Sequence, residues 1–507
     1  MGVEGLWKIF EPFADRRSFA ELLTSDALKR ARDGRGFPVI GIDASPLMCQ
    51  AQGAARRARE NGASWTRVGL NVEYSCLVKF LEQWVRIPAI PLVVFDGGER
   101  PMEKRNRRVR GQEHYLARRF RALIEAFGFH AFTAPGEAEA ELAYLNRAGH
   151  IDYVLTSDCD AFLFGAIKVI RCPQLEEDRD LVEVYDANTL IHHEPRAFTR
   201  NGMIFLAMLS GGDYYMKGLE GCGLVTAFTL AQWTDLPDML SSAVADAGPA
   251  LSKWREKLGF ELANNQHLRY KLRFLSSRIP ETFPNPNVFN LYQNPVTSFS
   301  RPAQVLPDLG LEYPNSTHIV RLACELLDWK WDRIFRLLQT SVWPGHCMRQ
   351  TIEEKKSGAA IPLGRSTQSS GLGCQAMRTI KKIDRSFSQP GSSASFQYFG
   401  LEISISSIQT LALGAYTSAM NCGADPGEAT RSIGQIWIPA PILRFVHPEI
   451  IQKYEHKHPV KSNQSGACSS KKTVQDIIDF TAGDGSSPIH YSVTEEPNVP
   501  PTIEIMD

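Results

Sequence analysis

Three short apolar runs, each ending against an acid, constrain this chain's fold more than any other feature. Residues 37–42 (FPVIGI), 91–95 (PLVVF) and 153–156 (YVLT) are rich in β-branched residues and too short for helices. They read as buried strands of a largely parallel sheet. Helical patterns lie between them, so residues 1 to about 235 are expected to form an α/β layer fold. Asp43 follows the first run, Asp96 the second and Asp158 the third. Carboxylates therefore collect at the strands' C-terminal ends, the edge where open α/β sheets bind ligands.

Further acids join them. Glu137 and Glu139 open PGEAEAE just after Pro135 and Gly136, at a helix-start pattern; Asp160 stands two residues beyond Asp158, and Asp213 lies in LSGGDYY. Asp158 and Asp160 point to one side if the chain there is extended. Each acid also has a structural reading, because first-turn acids complement a helix dipole and Asp after a strand often begins a turn. As a set they need another explanation. Crowded unpaired carboxylates repel one another and lose hydration. Hard divalent cations relieve that cost, and Mg²⁺ is held by a few carboxylates while keeping several waters. Two such ions suit phosphodiester hydrolysis, one activating a water and the other stabilising the leaving oxygen.

With 507 residues and 43% apolar composition, the chain exceeds one core and should divide into several domains and linkers. The expected divisions are 1–125 and 126–235 (two parts of the α/β region), 236–345 (a helical lobe), 346–400 (a Ser/Gly-rich flexible linker), 401–456 (a second small unit) and 457–507 (a disordered acidic tail). One helical pattern spans 317–338 around Trp329 and Trp331. The formal charge of zero hides an asymmetry: residues 473–507 hold seven acids and no Lys or Arg, leaving a basic body at +7. Ten scattered cysteines form no CxxC or zinc-finger spacing, which fits a reduced intracellular protein. The apolar run 87–95 is broken by Pro88 and Pro91 and falls short of the roughly 20 residues a membrane helix needs, so no membrane association is expected. The start MGVEGLWKIF suggests neither an export signal nor a lipid anchor.

These motifs together resemble the flap-endonuclease/XPG superfamily. MGVEGLW is similar to that family's MGxxGLW start, whose second residue, here Gly2, lies near the active site. Asp43 in GIDAS, Asp96 in VFDG, Glu137 and Glu139 in GEAEAE, Asp158 and Asp160 in TSDCDAF, and Asp213 in GGDYY fall in order on the family's metal-site carboxylates. The resemblance covers about residues 1–235 and implies a PIN-like nuclease core with two Mg²⁺ ions, for which Mn²⁺ can substitute. DASPLMCQAQ, AYLNRAGHID, FLFGA and FPNPNVFNLYQNP resemble the eukaryotic Holliday-junction resolvase (GEN/Yen) branch, with Cys49 where flap endonucleases place a base-stacking tyrosine.

The resemblance also implies DNA contacts. Nine basic residues against two acids lie between Arg100 and Arg121, where a solvated helix face is the structural alternative. Lys104, Arg105 and Arg108 resemble the family's basic residues that steady the scissile phosphate, so Lys104 and Arg105 join the seven acids in the candidate catalytic set; Arg107 and Arg110 extend the basic run. Only 41 positions separate Asp96 from Glu137, too few for the long helical cap that threads a 5′ end. MKGLEGCGLVTAF resembles the family's helix-two-turn-helix, where Gly218, Gly221 and Gly223 would offer amides to duplex phosphate beside a K⁺ ion. Glu220 and Leu224 depart from that motif. Residues 401–456 resemble a degenerate chromodomain, with Trp437 and Pro439 in the matching end. DIIDFT and TIEIMD in the tail resemble strand-adding peptides for a SUMO-type modifier. The implied activity is nicking of four-way junctions and 5′ flaps, as a dimer on the junction, in the nucleus. A monomeric 5′-flap or repair-bubble nuclease is the alternative substrate reading, and a catalytically silent branched-DNA-binding module the alternative of another class.

Overall fold

A computed structural model describes residues 2–61, 70–109, 112–172, 180–191, 198–246, 249–301, 305–357, 398–420 and 433–457. The chain divides into residues 1–460 and 461–507, and the second unit lies outside the described residues, as do both modifier-like tail segments.

Within the first unit the central sheet contains seven strands: β1 (Asp15–Ser18), β2 (Val39–Asp43), β3 (Ile90–Phe95), β6 (His130–Thr133), β7 (Tyr153–Leu155), β8 (Lys168–Arg171) and β9 (Leu181–Asp186). A separate hairpin pairs β4 (Glu103–Lys104) with β5 (Arg107–Arg108), and β10 (Tyr398–Ser404) pairs antiparallel with β11 (Ile433–Pro439). The order across the main sheet is β1-β9-β8-β7-β2-β3-β6. β8, β7, β2, β3 and β6 run parallel, and β9 turns back antiparallel between β8 and β1. The three runs singled out in the sequence are thus neighbours at the centre, β7-β2-β3, which is why they lack a polar face: every residue of β2 and β3 is buried. This is the expected α/β core with a mostly parallel sheet. β6 was not among the expected strands, being four residues long and opened by His130, whose Nε2 lies 2.7 Å from the Gly310 carbonyl oxygen.

Helices carry the chain between strands. Ala44–Glu60 starts directly at Asp43, and Ala138–Arg147 packs across β2, β3 and β7. Further along lie Leu236–Asp246, Pro249–Asn264, Pro286–Gln293, Ser316–Leu327, Trp331–Leu337 and Trp343–Lys356. The single pattern expected over 317–338 is two helices, because Asp328 adopts a left-handed φ of 51° and ends the first before Trp329. The expected linker start at 346 falls inside the helix Trp343–Lys356. Its Cys347, Met348, Thr351 and Ile352 are buried, and it lies against Phe19–Arg32 and β11.

Arg349 of that helix is fully buried and has no carboxylate partner among the described residues. Its guanidinium donates to the carbonyls of Trp84, Val85, Ile87, Ala89 and Gly345, so it closes the end of Leu70–Val85 just before β3 begins. Burial lowers its pKa to about 10, which leaves it charged at neutral pH. Ser406–Met420 joins β10 to β11 and packs on Ser316–Leu327, with the Tyr416 and Trp331 rings 5.6 Å apart. Ala440–Val446 and Pro448–Lys457 follow β11, separated where Pro448 interrupts the helical run.

Candidate metal centre and nucleic-acid interface

Strand order alone brings the acids together. Asp43 ends β2 and caps Ala44–Glu60, accepting from the Ser45 amide at 2.8 Å. Asp96 follows β3 next door, and its two oxygens are oriented by the Ser45 hydroxyl (2.8 Å), the Arg100 guanidinium (3.2 Å) and the Ala138 amide (3.0 Å). That last bond ties Asp96 to the helix carrying the glutamates. The same loop is fixed again where the Gly97 amide donates to Gly136 O and the Glu99 amide to Pro135 O. Glu137 occupies the N-cap position of that helix without a side-chain cap bond, and Glu139 lies in its first turn. Asp158 and Asp160 follow β7, where Asp158 Oδ1 accepts from the Asp160 amide and Asp160 Oδ1 from the Val3 amide. Asp213 follows the helix Arg200–Ser210.

The hairpin β4-β5 inserts two cations into this group. Lys104 Nζ lies 2.9 Å from Glu137, 3.4 Å from Glu139 and 3.4 Å from Asp213. Arg105 grips Asp213 through two bonds of 2.7 Å and reaches Asp158 at 3.6 Å. Burial works against the Lys104 charge, but Glu139, Glu137 and Asp213 hold its ammonium well above the usual lysine pKa. The bond to Asp213, opposed by burial, likewise raises Arg105. Arg105 and Asn106 turn the hairpin with φ of 56° each, a left-handed conformation uncommon for arginine, so the turn aims the guanidinium at the acids at a local backbone cost. The dense part of the basic run, 104–108, is therefore a hairpin, whereas Arg118, Arg119 and Arg121 lie on the helix Ala117–Ala126. Arg107 and Arg108 stand exposed on β5, and Arg110 lies outside the described residues.

Three basic side chains, Arg100, Lys104 and Arg105, pair with members of a set of seven acids. Asp43 and Asp160 have no ion pair among the described residues. Burial, reinforced by Asp96, pushes Asp43 up to about 8. Burial also raises Glu139, Asp160 and Asp158; for the first two Asp158 adds to the effect. The Oδ2 atoms of Asp158 and Asp160 are buried without a hydrogen-bond partner. Asp158 Oδ2 has only the 3.6 Å approach of Arg105 and Asp160 Oδ2 no ion pair among the described residues, and buried carboxylate oxygens so poorly satisfied fit a hard divalent cation. The ligand atoms of Asp158, Cys159 and Asp160 lie within 4.8 Å of one another, but burial pushes the Cys159 thiol up, and its Sγ donates to Val3 O, so the carboxylates are the donors suited to Mg²⁺.

Gly2 sits against this centre with φ of 80°. A Cβ there would stand 2.3 Å from Asp160 Oδ1 and 2.4 Å from Asp158 Oδ1. The expected helix-two-turn-helix is the segment between Arg200–Ser210 and Leu224–Trp233. Gly218 (φ 54°) packs where a Cβ would meet Leu209 O at 2.3 Å, whereas Gly221 and Gly223 are exposed and face open space or only the Leu275 side chain. Sequence reasoning missed several supporting groups. Ser45 and Arg100 orient Asp96, and the Tyr214 hydroxyl donates to Glu137 Oε2. Tyr214 was legible as the neighbour of Asp213. Tyr292, 4.7 Å from the Tyr214 ring, gave no such signal.

Residues 128–213 match the XPG I-region. Flap endonuclease GEN homolog 1 of Mus musculus is 28% identical over 242 residues, covering 46% of this chain and 25% of its own. Flap endonuclease GEN-like 1 of Oryza sativa subsp. japonica is 36% identical over 124 residues, covering 24% of this chain and 18% of its own. This chain thus spans about a quarter or less of the length of these relatives. Among solved structures, a eukaryotic junction-resolving enzyme GEN-1 bound to caesium shares the fold with a TM-score of 0.65 at 24% identity, covering 90% of this chain and 99% of that one. The matched I-region is the segment that supplies Glu137, Glu139, Asp158, Asp160 and Asp213, so it is through these acids that the chain is similar to the flap-endonuclease/XPG nucleases and to their GEN relatives.

Proposed function

We propose that this protein is a Mg²⁺-dependent, structure-selective DNA endonuclease that nicks four-way junctions and 5′ flaps in recombination and repair, in the nucleus. The observation that carries the reading is the convergence of Asp43, Asp96, Glu137, Glu139, Asp158, Asp160 and Asp213 at one sheet edge, with the Asp158 and Asp160 Oδ2 atoms buried and without a hydrogen bond. One solved structure with this fold is the Holliday junction-resolving enzyme GEN1 in complex with product DNA and Mg²⁺, which supports the same ion here.

The chain's own groups divide the work. Asp158, Asp160, Glu137, Glu139, Asp213, Asp43 and Asp96 would hold two Mg²⁺ ions, with Mn²⁺ as a substitute. When bound, such ions supply a water of lowered pKa and charge to stabilise the leaving oxygen. The amides of Val3, Ser45, Ala138 and Asp160 fix which carboxylate oxygens remain for that purpose. Lys104 and Arg105 pair with Glu137, Glu139 and Asp213 and offer positive charge to a nucleic-acid phosphate at the centre. Exposed Arg107 and Arg108 contact the DNA backbone. The amides of the 218–223 turn grip duplex phosphate, with K⁺ as the ion of that turn. Two copies on one junction would give paired cuts, and the tail would bind a SUMO-type modifier.

Labelled junction and 5′-flap DNA incubated with and without Mg²⁺ tests this reading. Nicking should require Mg²⁺ and vanish in Asp158→Asn and Glu137→Gln, while junction binding by both variants stays near wild type. Normal cutting by either variant would overturn the assignment. Coupled cuts on a junction separate the dimeric resolvase from a monomeric flap nuclease.

A further inference from the structure

The segment that returns along the helix Pro249–Asn264 carries a surface the proposed chemistry does not use. Residues 262–280 (LANNQHLRYKLRFLSSRIP) include Arg269, Lys271, Arg273 and Arg278 and no acid. Leu268 and Leu275 are buried and anchor the segment; the Leu272 amide donates to Leu262 O and the Ser276 hydroxyl to Gly259 O. Three rings here are open to solvent: Tyr270 is 66% exposed, Phe274 69% and Phe260, on the preceding helix, 63%. Arg278 lies over the Phe274 ring at 3.8 Å and Arg269 over Tyr270 at 5.1 Å. At the same end Trp233 stacks on His267 with ring centroids 3.6 Å apart.

Exposed rings on a short segment are costly in water, and three of them in and beside one basic segment mark a binding surface. Charge decides the partner. Arg269, Arg273 and Arg278 form no ion pair with the chain's acids among the described residues, so the face keeps its positive charge and suits a polyanion. Flat aromatic faces interleaved with arginine suit unpaired bases, since every base has a π-face and each stack contributes about 1–3 kcal/mol. Duplex DNA offers phosphates but hides its base faces and would leave the rings unused. Position agrees, because the Leu275 side chain that anchors the segment also faces Gly221 in the turn assigned to duplex phosphate.

We propose that Phe260, Tyr270 and Phe274, with Arg269, Arg273 and Arg278, form a stacking platform for single-stranded DNA next to the duplex-binding turn. It rests on the DNA-processing reading for its context but not on the metal centre. An unpaired stretch leaving the held duplex would lie across it, which favours branched substrates with a single-stranded arm over fully paired ones.

Fluorescence anisotropy with a labelled oligothymidine and with a blunt duplex, on the full chain in EDTA, tests this without any cleavage. The Tyr270→Ala/Phe274→Ala variant should bind the oligothymidine at least about tenfold more weakly, keep duplex affinity within about twofold, and melt as wild type does. Tyr270→Phe/Phe274→Tyr should restore single-strand binding. Unchanged single-strand affinity, or equal loss on both probes, would overturn the platform; the second result would mean a charged face without base stacking. An Asp158→Asn protein should retain the wild-type single-strand affinity, so that failure of the nuclease reading and failure of the platform give different results.

Discussion

Asp43 closes the central strand with Asp96 beside it, and its carboxyl is pushed up to about 8 chiefly by burial. Because the folded value lies above the unfolded one, the protonated form is bound more tightly by the folded chain. That contribution is complete at low pH and is lost as pH rises from about 4 towards 8. Asp43→Asn copies the protonated state. Without divalent ions, its thermal midpoint should gain on the wild type steadily across that interval in a melting series; a constant difference would refute the assigned shift. Gly2 offers a second residue-scale test. A methyl group there must displace Asp158 or Asp160, so Gly2→Ala should slow cutting about a hundredfold in single-turnover assays while leaving junction affinity alone. Unimpaired cutting by Gly2→Ala would mean the amino end does not bear on the centre. At this scale the sequence was informative, because all seven acids and Gly2 announce themselves by position. Ser45 did not, and Tyr214 was legible only as the neighbour of Asp213, since a hydroxyl's role depends on which distant acid the fold brings to it.

The hairpin β4-β5 shows what local pattern cannot reveal. Strands of two residues have no periodicity to read, and a run of Lys and Arg looks the same on a helix face or a turn. Only the fold shows that Lys104 and Arg105 face inward to acids while Arg107 and Arg108 face out. Hence the outer pair carries the cleaner DNA prediction. Arg107→Glu/Arg108→Glu should weaken binding to every DNA form and lower the salt slope by about 2, read from affinities over a salt series. An unchanged slope would move the DNA path away from this hairpin. β6 was hidden for a different reason: four residues with a histidine at the first give too few apolar positions, although the strand is fixed by pairing with β3. The central strands were legible because complete burial leaves them uniformly apolar.

Across the whole molecule, distant segments hold the sheet in place. Arg349 reaches from the helix Trp343–Lys356 to carbonyls at the end of Leu70–Val85 and before β3. Replacing it by Met would leave those acceptors buried and unpaired, so Arg349→Met should cost about 3 kcal/mol in urea unfolding. A loss below about 1 kcal/mol would show that water reaches the carbonyls. The helical character of residues 236–345 could be read from the chain, whereas the continuation to Lys356 could not, because its apolar face is completed by β11 and Phe19–Arg32 from opposite ends of the sequence. The order of the sheet has one more implication. Acids numbered from 43 to 213 meet only after β7, β2 and β3 have paired, and no contiguous stretch contains the centre. During synthesis, a ribosome that stalls before Asp213 releases a chain lacking part of the cutting apparatus, so the activity proposed here arrives all at once or not at all in each new molecule.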